Sequence, residues 1–197
     1  MKKLIIIGCV TAMVMLMSFV MDNNHVTNNK LAAKDSIASL QAFEEVYKVL
    51  MSPRCMNCHP SGDIPLQGDD SHIHAMLPKR GTDGKGVYAM KCSNCHQSAN
   101  VEGQGRPPGA PNWHLPPSNM KMVFQGRTPA QLAKQLINPK TNGNKNMQQL
   151  IAHADDALVK WGFEPGEGRT TPPLTHAEFK KVWLTWLESG AYVPRGK

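Results

Sequence analysis

The chain has 197 residues and a formal net charge of +7, with 16 glycines, 15 prolines, 12 methionines and only 6% aromatic residues. That length holds one domain or two very small ones, and so few large aromatic side chains suit a core completed by a bulky buried cofactor. The basic residues are scattered, with no basic run interleaved with stacking aromatics, which excludes nucleic acid as the expected partner and leaves a modest positive surface suited to an acidic protein.

In chain order, Lys2 and Lys3 precede Leu4–Met21, eighteen residues without a charge, and Asp22 opens a polar stretch. This is the pattern of a bacterial export signal. No small-x-small site precedes Asp22, and eighteen apolar residues nearly match a bilayer span. The expectation is a periplasmic protein in which 1–21 is either a signal peptide or a membrane anchor over residues 4–21, the poor cleavage context favouring the anchor. A flexible polar tail over 22–35 and a compact unit over 36–197 follow. Cys9 reads as a small apolar residue inside the leader.

Ile37, Leu40, Phe43, Val46, Tyr47 and Leu50 recur at three or four residues, which predicts an amphipathic helix stopping near Ser52–Pro53. CMNCH follows at 55–59. The run RGTDGKGVYAMK predicts a glycine-rich turn and then a short helical approach to CSNCH at 92–96. Thr128, Pro129 and Gln131 make a capping signature for a helix that ends at Asn138–Pro139. Met147, Leu150, Ile151, Ala154, Leu158 and Trp161 predict one longer helix closed by Gly162. Thr175 and Glu178 open the last helix, which buries Phe179, Val182, Trp183, Trp186 and Leu187 before Gly190. No segment reads as a strand ladder, so the fold class is mainly α, with long Gly/Pro-rich loops and little or no β.

Cys9 aside, all four cysteines fall in the two pentapeptides, 37 positions apart. Three chemistries use Cys-x-x-Cys. A thioredoxin-like dithiol needs a strand before the motif, and none precedes Pro53–Arg54. A four-thiolate zinc site would use both pairs but leaves His59 and His96 unexplained. The third uses every residue: Cys55 and Cys58, and again Cys92 and Cys95, bond covalently to haem vinyl groups, while His59 and His96 ligate the irons. The expected cofactors are therefore two covalently attached haem c groups, haem 1 near 43–80 and haem 2 using 81–197.

The sixth ligand of each iron has several candidates. His25 lies in the tail, and His176 follows a helix cap where it is exposed. His72 and His74 lie in a segment after the first motif whose loop can fold over the same macrocycle. His153 sits at the edge of an apolar helical face. Met120 and Met122 follow the proline-restricted WHLPPSN. By chain proximity His74 is expected to close haem 1; His153 is expected to close haem 2, with Met120 its rival there.

The paired motifs identify the cytochrome c class, and DGKGVYAMKCSNCH resembles the first helix of class I cytochrome c domains. CMNCHPSGDIPLQGDD, GAPNWHLPPSNM, NPKTNG and WGFEPGEGR resemble a group of exported haem proteins labelled as the cytochrome c subunit of isoquinoline 1-oxidoreductase-type systems. The resemblance runs from about Phe43 to Pro194. It implies a cytochrome c-like helical fold, haem attachment at Cys55, Cys58 and His59 and at Cys92, Cys95 and His96, and matches at His74, His153 and Met120, with His72 and His114 peripheral. A class I domain usually presents its distal methionine farther along the chain than Met120.

No nucleotide fingerprint or nucleophile–base set is legible. Two fully ligated haems pass single electrons, so the expected role is a non-catalytic carrier or electron-transfer subunit of an oxidoreductase. Its partner would be a membrane or periplasmic dehydrogenase or another redox protein. The alternatives, a dihaem peroxidase-like enzyme or a haem-based sensor, need one iron with an open position.

Overall fold

The computed structural model describes residues 35–196; the leader over 1–21 and nearly all of the tail over 22–35 lie outside them. The fold is mainly α. Helix α1 (35–50) turns its Phe43, Val46, Val49 and Leu50 face inward, all four buried, as the three–four spacing requires. After Ser52 comes the one-turn α2 (Pro53–Met56), with proline at its first position. Helix α3 (Pro129–Ile137) begins with the capping box of Thr128 and Gln131. Helix α4 (Met147–His153) has a second box, Asn146 with Gln149, that the sequence reading overlooked. Helix α6 (His176–Glu188) has the expected Thr175–Glu178 box. These reciprocal bonds satisfy first-turn N–H groups that have no partner inside the helix.

Two expectations are corrected. The single helix across 147–161 is broken into α4 and α5 (Ala157–Trp161). The Asp155–Asp156 pair is a poor helix interior, and Asp156 instead takes extended backbone, φ −60° and ψ 142°, as the N-cap residue of α5. The helical approach to the second motif is a hairpin, β3 (Gly86–Val87) against β4 (Met90–Lys91), followed by a 3₁₀ turn at Cys92–Asn94. Glycine decides this. Gly84 has φ +78°, and a Cβ there would lie 1.8 Å from the Leu115 carbonyl oxygen. The chain thus approaches 114–116 backbone to backbone, with Leu115 N–H donating to Gly84 O at 2.9 Å. A second small hairpin pairs β1 (Leu66–Gln67) with β2 (His72–Ile73) and delivers His74, whose N–H donates to Pro65 O at 3.0 Å.

The core joins the two ends of the described chain. Trp186 of α6 is 0% exposed, its ring 4.6 Å from that of Phe43 in α1. Ser39 donates to Trp186 O at 2.9 Å and accepts the Tyr192 N–H at 3.0 Å. Trp183 donates its indole N–H to Leu150 O at 2.9 Å, fixing α6 against α4. Asn142, 1% exposed, donates to Leu136 O and Lys145 O and accepts the Lys145 N–H. It ties the turn between α3 and α4, so α4 is held where its C-terminal end faces the first Cys–His motif. Among the described residues no helix is long and apolar enough to cross a membrane.

Candidate haem-binding sites

In both motifs the backbone closes the same tight turn. Cys58 N–H donates to Cys55 O and Cys95 N–H to Cys92 O, each at 3.2 Å. All four thiols are free. Among the described residues no three His, Cys, Asp or Glu side chains converge as a metal-ion cluster, so the thiols are not gathered into one tetrahedral set. Burial pushes the Cys55 thiol up to about 12 and the Cys58 thiol up to about 11. These are neutral thiols, unlike the low-pKa thiolate of a dithiol redox centre.

The two motif histidines are held alike. His59 donates Nδ1–H to Met122 O at 2.6 Å and stacks on Phe124, centroids 3.9 Å apart and planes 8° apart. His96 donates Nδ1–H to Pro108 O at 2.7 Å and stacks on Trp113 at 4.3 Å and 5°. A carbonyl on Nδ1 fixes the tautomer and leaves Nε2 as the free lone pair, which is how a metal-ligating imidazole is oriented. Burial lowers the His59 pKa to about 4 and also lowers that of His96, so both rings are neutral donors at pH 7.

Cys55, Cys58 and His59 open onto an apolar cavity of about 510 Å³ between α1, the 114–124 loop, α4, α5 and α6, a volume in the range of cofactor sites. His153, Met120 and His114 line it too. His153 donates Nδ1–H to Asp156 Oδ2 at 2.6 Å, an arrangement that again leaves Nε2 free. At the second motif the neighbour is His74, whose ring centroid lies 6.4 Å from that of His96 with planes 73° apart. Two imidazoles that shared one metal through bonds of about 2 Å would stand at a comparable separation. The His74 Nδ1 accepts the Met76 N–H at 3.3 Å, which puts the proton on Nε2; ligation through Nε2 would require the other tautomer and the loss of this long contact.

Chain proximity favours a different grouping from the one these side chains adopt: His153 and Met120 stand beside the first motif and His74 beside the second. Of the other candidates, His72 is exposed and donates to Asp70 at 2.6 Å. His176 spends its Nε2 on Ala154 O at 2.8 Å and packs edge-on to Phe163. Met122 contributes its carbonyl to His59 besides lining the cavity. Sequence reasoning missed the cavity position of His114, the stacking rings of Phe124 and Trp113, and Asp156. Only Asp156 left a local trace, as an acidic residue three positions after His153.

Basic side chains surround the first site. Arg54 lines the cavity and pairs with Asp69. Arg80, 1% exposed, donates to Pro116 O at 2.6 Å and to Gly62 O at 3.0 Å.

Neither a curated protein nor a solved structure matches the chain. Residues 79–161, less than half of the chain but including the second Cys-x-x-Cys-His motif, Met120 and His153, match the family model described as cytochrome C oxidase, cbb3-type, subunit III.

Proposed function

We propose that the protein is an exported dihaem c-type cytochrome that passes single electrons between redox partners in a respiratory or dehydrogenase chain. The observation that carries this is the duplicated arrangement: two free thiols, a histidine locked through Nδ1 on a backbone carbonyl, its ring stacked on an aromatic, and a further side-chain donor facing it. Bound covalently at Cys55 and Cys58 and at Cys92 and Cys95, each haem supplies one reversible Fe(III)/Fe(II) step. The protein contributes ligands, burial and orientation. The match over residues 79–161 to a cytochrome oxidase subunit model supports the cytochrome reading for the second motif.

The ligand pairs best supported are His59 with His153, Met120 being the rival, and His96 with His74. If both members of each pair ligate, neither iron would keep an open site for peroxide or a gas, and a carrier is preferred to a peroxidase-like enzyme or a sensor on that ground. Bis-histidine ligation lowers the potential relative to methionine, which suits electrons arriving from a low-potential dehydrogenase. The apolar run over 4–21 supports delivery to the periplasmic face, where it serves as signal or tether.

The test is spectroscopic. Protein made in cells that mature c-type cytochromes should carry two haems per chain, and Cys92→Ala/Cys95→Ala should carry one. In that one-haem protein His153→Ala should convert the low-spin spectrum to high-spin while His74→Ala leaves it alone. In the two-haem protein His74→Ala should convert one of the two signals. Absence of covalent haem from the wild type overturns the proposal. An oxidised-state band near 695 nm, about the position of a methionine–iron charge-transfer transition, transfers the first iron to Met120.

A further inference from the structure

Arg80 is the most deeply buried charge among the described residues: its side chain is 1% exposed. Both of its carbonyl partners belong to the first site. Pro116 is in the wall of the cavity, and Gly62 is three residues beyond His59 on the loop that leaves the motif. The backbone locks it there as well, since Arg80 N–H donates to Asp63 O at 2.7 Å and Arg80 O accepts the Gly86 N–H at 2.9 Å.

Its neutralisation is poor. Asp63 is the acidic group facing it, at 3.7 Å from Nε, and that carboxylate is 57% exposed and engaged by Lys121 at 2.7 Å. The Nε of Arg80 is buried without a hydrogen-bond partner. Arg54, the other buried arginine of this site, shares an unpartnered Nε but differs in having Asp69 in direct contact with its Nη2. A guanidinium does not shed its proton in a protein, so the charge stays.

We propose that Arg80 is a fixed, under-neutralised cation that raises the reduction potential of the haem at the first motif, offsetting part of the lowering that two histidine ligands impose. The inference rests on the dihaem reading. The oxidised haem centre carries one more positive charge than the reduced one, and a nearby buried cation in a low-dielectric wall disfavours the more positive state. One electron is taken up, Fe(III) to Fe(II), and no proton need move with it. Arg80 touches no reacting atom and acts through its field, as a potential-setting residue.

The experiment compares midpoint potentials of Arg80→Met, Arg80→Lys and Asp63→Asn in the one-haem Cys92→Ala/Cys95→Ala background, by spectroelectrochemical titration. Haem content and unfolding midpoint are recorded for each variant. Arg80→Met should lower the potential, Arg80→Lys should stay closer to the parent, and Asp63→Asn, which strips the shared counter-charge, should raise it. Opposite signs are something a purely structural role would not produce. If Arg80→Met leaves the potential of a correctly loaded protein unchanged, or Asp63→Asn moves it downward, the inference is overturned while the dihaem reading stands. Should Arg80→Met fail to load haem, Asp63→Asn decides alone: a rise supports the inference and no shift overturns it. A parent that carries no haem fails the underlying reading instead.

Discussion

His59 shows how packing sets the protonation state of a single ring. Burial lowers its pKa from 6.5 to about 4, because an imidazolium facing an apolar cavity loses its hydration. A lowered folded-state pKa means that protons compete for this nitrogen only as pH falls toward 4. An NMR titration of the His59 ring in the haem-free protein should therefore show no protonation from pH 7.5 to 5; a titration near 6.5 would contradict the burial of the ring. Asp156 prepares the facing residue by holding the His153 Nδ1–H at 2.6 Å. Asp156→Ala should let added cyanide displace His153 at a concentration about 10- to 100-fold lower, the usual effect of deleting such a partner. The two motifs themselves were legible in the sequence, because two thiols and an imidazole within five residues form a local pattern. The carbonyls of Met122 and Pro108 were not, since any residue can offer one and only the fold brings it near.

At the scale of elements, three capping boxes place helix starts. Asn146 begins the helix that carries His153, so Asn146→Ala should cost about 1 kcal/mol in denaturant unfolding. It should also loosen the first haem site more than the second. Gly84 is the counterpart for the second motif. Gly84→Ala must accept positive φ and displace the Leu115 backbone; it should cost at least about 1–3 kcal/mol, read as a lowered unfolding midpoint. The helices of 128–138 and 175–190 were legible from caps and apolar spacing, which are local. The break at Asp155–Asp156 and the 86–91 hairpin were not. In the first, the apolar face continues across the break and conceals it. In the second, a glycine-rich run admits several conformations, and contact with 114–116 selects one.

For the whole molecule, α1 and α6 close the core around the first site, and Trp186 is the centre of that closure. Trp186→Ala should lose about 3–5 kcal/mol by calorimetry or denaturant and impair haem loading at the first motif, although the residue lies outside the cavity lining. The mainly helical class and the two Cys-x-x-Cys-His motifs were legible in the sequence, because periodicity, caps and motif spacing all act within a few residues. Only the tertiary structure decided which donor faces which motif. His74 returns on the β1–β2 hairpin to His96, while His153, 94 residues beyond His59, reaches the first site because α6 and the Asn142 turn press α4 against it. Chain proximity favours His74 at the first motif through the lower entropy of closing a short loop, but that entropy grows only with the logarithm of loop length, so the packing of a few buried helices outweighs it.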